Sequence, residues 1–220
     1  MDEKKVDVNP EQWDQLFAPT SNPAVVTTTD ADGRVNAAAF GAVVKVSHEP
    51  VALTFTVGVG RDTANNVLGT GEFVVNVPTY DNDQLKGLCL TSVDLPPGAN
   101  ELEHAGLTSL PGRKTRPPRV AEFPRHFECK VVWSTLWRDR LTIAGEIVAV
   151  SCDADAVEAG GSLRWETVRP ATYCGGSYGF SFSPATEQVR VDLGEDDFDL
   201  MSGLRPTPRT YQGVDAHFEH

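Results

Sequence analysis

Basic residues are scarce in this chain. Nineteen Lys and Arg stand against 31 Asp and Glu, giving a net charge of −12. A surface of that sign repels nucleic acid and anionic lipid over most of its area. An anionic ligand would need a local pocket that overrides the global field. Long apolar runs are missing as well, with no stretch near the roughly 20 residues of a membrane-spanning helix. The first ten residues, MDEKKVDVNP, carry charge and no apolar segment, so a cytoplasmic, soluble protein without a secretion signal is expected. Cys89, Cys129, Cys152 and Cys174 form no CxxC pair and no zinc-finger spacing. A disulfide framework is therefore not expected, and the cysteines read mostly as buried small apolar groups. His104 and His126 have no metal-ligand neighbours, and no metal is expected.

What the chain does have is 40% hydrophobic residues in 220, with 19 Gly and 15 Pro. That is enough for one domain with a core, and the β-branched bias favours strands and turns over a helical bundle. Asn9-Pro10 before EQWDQLF reads as the start of a short helix. AVVTTTD (24–30), VNAAAFGAVVKVS (35–47) and VALTFTV (51–57) read as three strands in an antiparallel meander. DTANNVLGT (62–70) reads as a helix, EFVVNV (72–77) as a strand, and 79–90 as a second helix. Residues 92–125, punctuated by PPG, PGRK and RPPR, read as a long loop. HFECKVVWSTLW and RLTIAGEIVAVSC form a hairpin across Arg138-Asp139, and 173–182 reads as one glycine-rich strand. The domain is expected to span 1–183, followed by an acidic C-terminal arm over 184–220. The pattern predicts a mainly β, antiparallel barrel or sandwich with short peripheral helices.

The stretch GVGRDTANN (58–66) carries the chemistry. A helix N-terminus offers unpaired N–H groups and partial positive charge. Gly58 and Gly60 just before it let the backbone approach a ligand closely. Arg61 adds a fork-shaped cation, Thr63 a hydroxyl and Asn66 an amide one turn on. Together these could make a phosphate socket. The plainer reading is that Asp62 or Thr63 caps the helix and Arg61 is solvated. Asn36-Ala37-Ala38-Ala39-Phe40-Gly41 is unusually small for a strand interior. It either packs against another backbone or leaves room for a flat ligand. The lone Gly-x-Gly lacks the third glycine and parallel context of a dinucleotide fingerprint.

Taken in order, TTTDADGRVNAAAFGAVVKVSHEPVALTFTV, RDTANN and TGEFVVNV resemble the flavin reductase-like, FMN-binding split-barrel family, with its flavoredoxin-like members. EHAGLTSLPG, PRHFECKVV and GGSY agree more loosely. The resemblance implies an antiparallel split β-barrel that binds FMN, with NADH or NADPH as hydride donor, and a homodimer whose second chain completes the cleft. Carried over by position, Asn36, Ala37, Ala38, Ala39 and Phe40 would line the flavin ring. Thr56 and Gly58 would meet ring or ribityl chain, and Arg61, Asp62, Thr63 and Asn66 would surround the phosphate. Tyr178 is a candidate for the substrate channel. Many relatives carry Pro at the position of Ala39 and Ser at that of Gly41. A flavin-storage protein and an oxidase like the pyridoxamine phosphate oxidases are the alternatives on the same scaffold.

Overall fold

The computed structural model describes residues 9–10, 21–96, 98–159, 161–175 and 180–185. Strands β1 (Ala24–Thr29), β2 (Val35–Phe40), β3 (Val44–His48), β4 (Val51–Gly58), β5 (Glu72–Val77), β8 (Arg125–Trp137) and β9 (Arg140–Cys152) form one sheet. Its order is β2-β1-β5-β8-β9-β4-β3, and every pairing is antiparallel.

Chain connectivity closes this sheet into a barrel. Seven flat strands would hold the edge strands β2 and β3 roughly 29 Å apart. Yet only residues 41–43 link Phe40 to Val44, a reach of about 15 Å. The sheet must curl until its two edges meet at that corner. The stretch 35–47 is therefore not the single strand its composition suggests. It pairs with β1 up to Phe40 and with β4 from Val44, so the expected meander holds in its pairings while its middle strand is split at the corner.

Two apolar clusters follow from the strand alternation. Inside the barrel, Phe55, Phe73, Ile143, Val26 and Val75 pack with the thiol of Cys129. Phe55 meets Phe73 edge-on at 5.2 Å and Phe40 at 4.7 Å. Outside, Val25 and Ala37 pack on Leu88, Leu102, Leu107, Val120 and Phe123. Both faces of β1 are thus covered, and all six of its residues are buried.

Among the described residues, three helices pack on the sheet, α1 (Asp62–Thr70), α2 (Asn82–Leu90) and α3 (Glu101–Ala105), and a single helical turn lies at Trp165–Val168. α1 buries Thr63, Ala64 and Val67, the stripe that an amphipathic helix turns inward. The segment 92–125 is more ordered than a loop. It holds α3 and a small hairpin of β6 (Ser109–Leu110) with β7 (Arg119–Val120). What anchors it is remote in sequence. Glu128 on β8 is 1% exposed, and its carboxylate accepts from the N–H groups of Arg113, Lys114 and Thr115 and from the Thr115 hydroxyl. Burial opposes its ionisation, but those donors outweigh the cost and hold its carboxyl below the ordinary value.

Two short antiparallel strands, β10 (Ala171–Gly175) and β11 (Ser181–Pro184), stand in place of the single strand expected. The cysteine expectation also needs correction. All four are free, but only Cys129 is fully buried, and Cys152 is exposed. Burial and the neighbouring Glu128 charge push the Cys129 thiol up to about 12. The helix expected after Pro10, Tyr178 and the arm beyond residue 185 lie outside the described residues. Among the described residues, no helix is long and apolar enough to cross a membrane.

Candidate functional site

A cleft of about 660 Å³ opens where β2 and the end of β4 face the start of α1. It brings together Asn36, Ala37, Ala38, Ala39, Phe40, Thr56, Gly58, Arg61, Asp62 and Thr63. Asn66 faces an adjoining hollow of about 290 Å³ that shares Asn36 and Asp62 with the cleft.

The helix N-terminus is the feature that distinguishes this cleft. Arg61, just before α1, is extended with φ −73° and ψ 149°, and no side chain among the described residues caps the helix. The two helices that pack beside it are capped: Asp81 accepts from Asp83 and Gln84 N–H, and Asn100 accepts from Leu102 N–H; the single-turn helix Trp165–Val168, away from the cleft lining, is also without a side-chain cap. Capping of α1 by Asp62 or Thr63 is thereby overturned. The Thr63 hydroxyl is buried and accepts instead from the Asn36 amide at 3.0 Å. The amides of Asn36 and Asn66 both donate to the Thr28 hydroxyl at 3.1 Å. These groups bind α1 to β1 and β2 and fix where its free N–H groups point. Gly60 sits at φ 81°, a left-handed conformation that glycine adopts at little cost, and it turns the chain from β4 into the helix.

The ring-side wall is less uniform than a ribbon of alanines. Along β2, alternate residues point to opposite faces. Ala37 is buried in the outer cluster and Ala39 packs partly against it, whereas Asn36 turns toward Thr28 and Thr63, and the Phe40 ring packs edge-on against Phe55 in the barrel. β2 is an edge strand, so alternate N–H groups face away from β1. That of Ala37 donates to Glu101 Oε2 at 3.0 Å. Gly41 ends the wall: a Cβ there would lie 2.9 Å from Cδ1 of Tyr173, so the tyrosine ring occupies the space that a serine would need.

Three further charged residues of the cleft, Asp94, Glu101 and Arg140, were not singled out by sequence patterns. Asp94 pairs with Arg61, Nη1 to Oδ1 at 2.8 Å. Glu101 and Arg140 line the walls, and Thr142 shares a hydroxyl–hydroxyl hydrogen bond of 3.0 Å with Thr56. Two arginines therefore stand among three carboxylates. The basic run 113–119, by contrast, serves the fold. Arg116 binds Glu72, and Arg119 donates to the Pro111 carbonyl and to Ser151. His126 is buried, donating through Nε2 to the Val120 carbonyl while Nδ1 accepts from Ser151. Burial pushes its pKa below the ordinary value.

A closed antiparallel barrel with an uncapped helix end opening on a cleft defines a split-barrel protein, and comparison with known structures agrees. The chain superposes on a split-barrel protein of the flavin-reductase type from Shewanella frigidimarina with a TM-score of 0.73, covering 85% of this chain and 94% of that one at 18% identity. It superposes on an FMN-binding protein from Thermus thermophilus with a TM-score of 0.66, covering 87% and 100% at 15% identity. An uncharacterised protein of Aquifex aeolicus is 32% identical over 158 residues, 70% of this chain and 80% of its own length. The chain belongs to the flavin reductase like domain family, whose pattern matches residues 18–180.

Proposed function

We propose that this protein holds FMN in the cleft and acts as an NAD(P)H-dependent reductase of flavin or of a flavin-linked acceptor. The observation that carries the reading is the uncapped N-terminus of α1 beside Arg61, opening on a cleft within the size range of cofactor sites. A phosphate with about two negative charges matches the free N–H groups of the first turn and a fork-shaped guanidinium. Family membership and the FMN-binding neighbour support the same cofactor.

In this reading the bound FMN supplies the hydride chemistry, accepting from NADH or NADPH. The chain's own residues bind and orient. Arg61 and the N–H groups of Asp62 and Thr63 grip the phosphate. The Asn36 and Asn66 amides keep α1 in place against β1. The outward-facing backbone groups of Ala39 meet the polar edge of the ring, beside the Ala37 N–H that Glu101 holds. Thr56 and Gly58 border the ribityl chain, and Arg140 adds a second cation. No acid–base pair is required of the protein for the hydride step.

We further infer a homodimer. Val132, Trp133, Leu136 and Trp137 are exposed along the outer half of the β8–β9 hairpin, and Val59, in the turn after β4, is exposed beside its tip, where its N–H donates to the Asp139 carbonyl. This apolar tip adjoins the cleft through Gly58 and Arg140, where a second chain would complete the wall. Trp137→Ser should shift the protein toward monomer in light scattering; an unshifted mass would place the contact elsewhere.

The test of function is the visible spectrum of the protein with FMN, followed by NADH or NADPH without oxygen. Rapid bleaching is the expected result. A stable yellow protein indifferent to both donors would point to storage, bleaching by a small amine followed by reoxidation in oxygen would point to an oxidase, and failure to take up flavin would end all three readings.

A further inference from the structure

We propose that the barrel has a second small-ligand site, a mouth lined by Arg125 and Lys45 that accepts a compact organic carboxylate. A hollow of about 220 Å³ opens there, walled by Val43, Leu53, Val75, Val77 and Phe127. It shares no lining residue with the cleft at α1; β4 gives Thr56–Gly58 to that cleft and Leu53 to this hollow.

Arg125 is the anomaly that points to a ligand. Its Nε is sealed from solvent and has no hydrogen-bond partner among the described residues. Burial pushes the guanidinium below its usual range. A buried donor on a charged group is costly to leave unmatched, and such groups in folded proteins normally have an acceptor. Barrel mouths with apolar walls and one convergent charged group are common ligand sites. A carboxylate fits the planar guanidinium by two parallel hydrogen bonds once the side chain turns its sealed Nε edge to the hollow, and Lys45 at the same rim adds charge of the same sign. The apolar walls take the remainder of the ligand. The volume is below that of drug-sized sites, so the body must be small: one ring or a short branched chain. On a protein of net charge −12, two local cations beside an apolar hollow are what allow an organic anion to enter.

The test is calorimetric titration of the FMN-supplemented protein with sodium benzoate, run beside benzyl alcohol, its neutral analogue. Benzoate should bind saturably at one site per chain, leave the flavin absorption unchanged, and shift backbone resonances of Val75 and Val77 but not of Ala38. Arg125→Met should weaken it by about tenfold to a hundredfold, the loss of a charge-assisted hydrogen bond. Arg125→Lys keeps the charge and should fall between, which serves if the Met variant folds poorly. Because calorimetry needs no flavin turnover, the result stands apart from the proposed reductase activity. Absence of saturable binding, equal binding of benzyl alcohol, undiminished binding in both variants, or displacement of flavin would each overturn the site.

Discussion

Replacing Arg61 by Ala tests the phosphate socket most directly. A charge-assisted hydrogen bond to a phosphate is worth about 1.5–3 kcal/mol. The guanidinium is not idle beforehand, since it pairs with Asp94 at 2.8 Å. Both side chains are largely exposed, and such a pair is worth about 0–1 kcal/mol. Binding FMN gives that up, so the net contribution is about 0.5–3 kcal/mol, or roughly two- to 160-fold in Kd. Quenching of flavin fluorescence measures it. Riboflavin, which has the ring and ribityl chain but no phosphate, is the internal control and should bind both proteins alike. The difference should also shrink as salt is raised, because the site is open to solvent. An equal loss for riboflavin would mean that Arg61 supports the fold or the ring rather than the phosphate. An unchanged FMN affinity would put the phosphate elsewhere.

Asp94→Asn should tighten FMN by about fivefold or less, since the competing carboxylate is gone, and should leave riboflavin unaffected; weaker FMN binding would make Asp94 a ligand contact instead. Glu128→Gln should cost about 2–4 kcal/mol in urea unfolding by breaking the charged cradle around 113–115. The Glu128 pKa is depressed in the fold, so its contribution is complete above the ordinary carboxyl value of 4.5 and disappears as pH falls through the folded value; the gap between wild type and variant should close in acid, and a gap constant with pH would refute the role of charge. His126 is held neutral, so stability should fall as pH drops below its ordinary value of 6.5 toward its depressed folded value, and His126→Gln should flatten that slope. Gly41→Ala should destabilise by about 1–3 kcal/mol through contact with Tyr173, with part of the loss recovered when Tyr173→Ala is added; no loss in the single variant would mean the ring moves freely.

Local signals were legible wherever chemistry and spacing coincide within a few residues. The α1 segment showed its helix-starting residues, its glycine turn and its cation in one short stretch, and the β8–β9 hairpin showed its alternation. Pairings across long separations left no such trace. Nothing near residue 94 announces that Asp94 meets Arg61, and nothing near Glu101 shows its carboxylate on the Ala37 N–H. The order within 92–125 depends on Glu128, whose place in a strand gives no hint that it faces a loop. The split in 35–47 was hidden because Phe40-Gly41-Ala42-Val43 keeps an apolar strand-like composition through a corner that only barrel closure demands.

The strand order also dictates when the cleft can exist. β1, β2 and β5 form one half of the sheet, β3 and β4 the other, and only β8 and β9 join them. A growing chain that has emitted its first hundred residues therefore holds two ribbons with no strand pairing between them, joined by the 41–43 corner and by the α1 segment. The walls from β2 and β4 come into register only after the long hairpin slots between the halves. A ribosome-bound chain stalled before residue 125 should bind no flavin, while one released past 152 should acquire it.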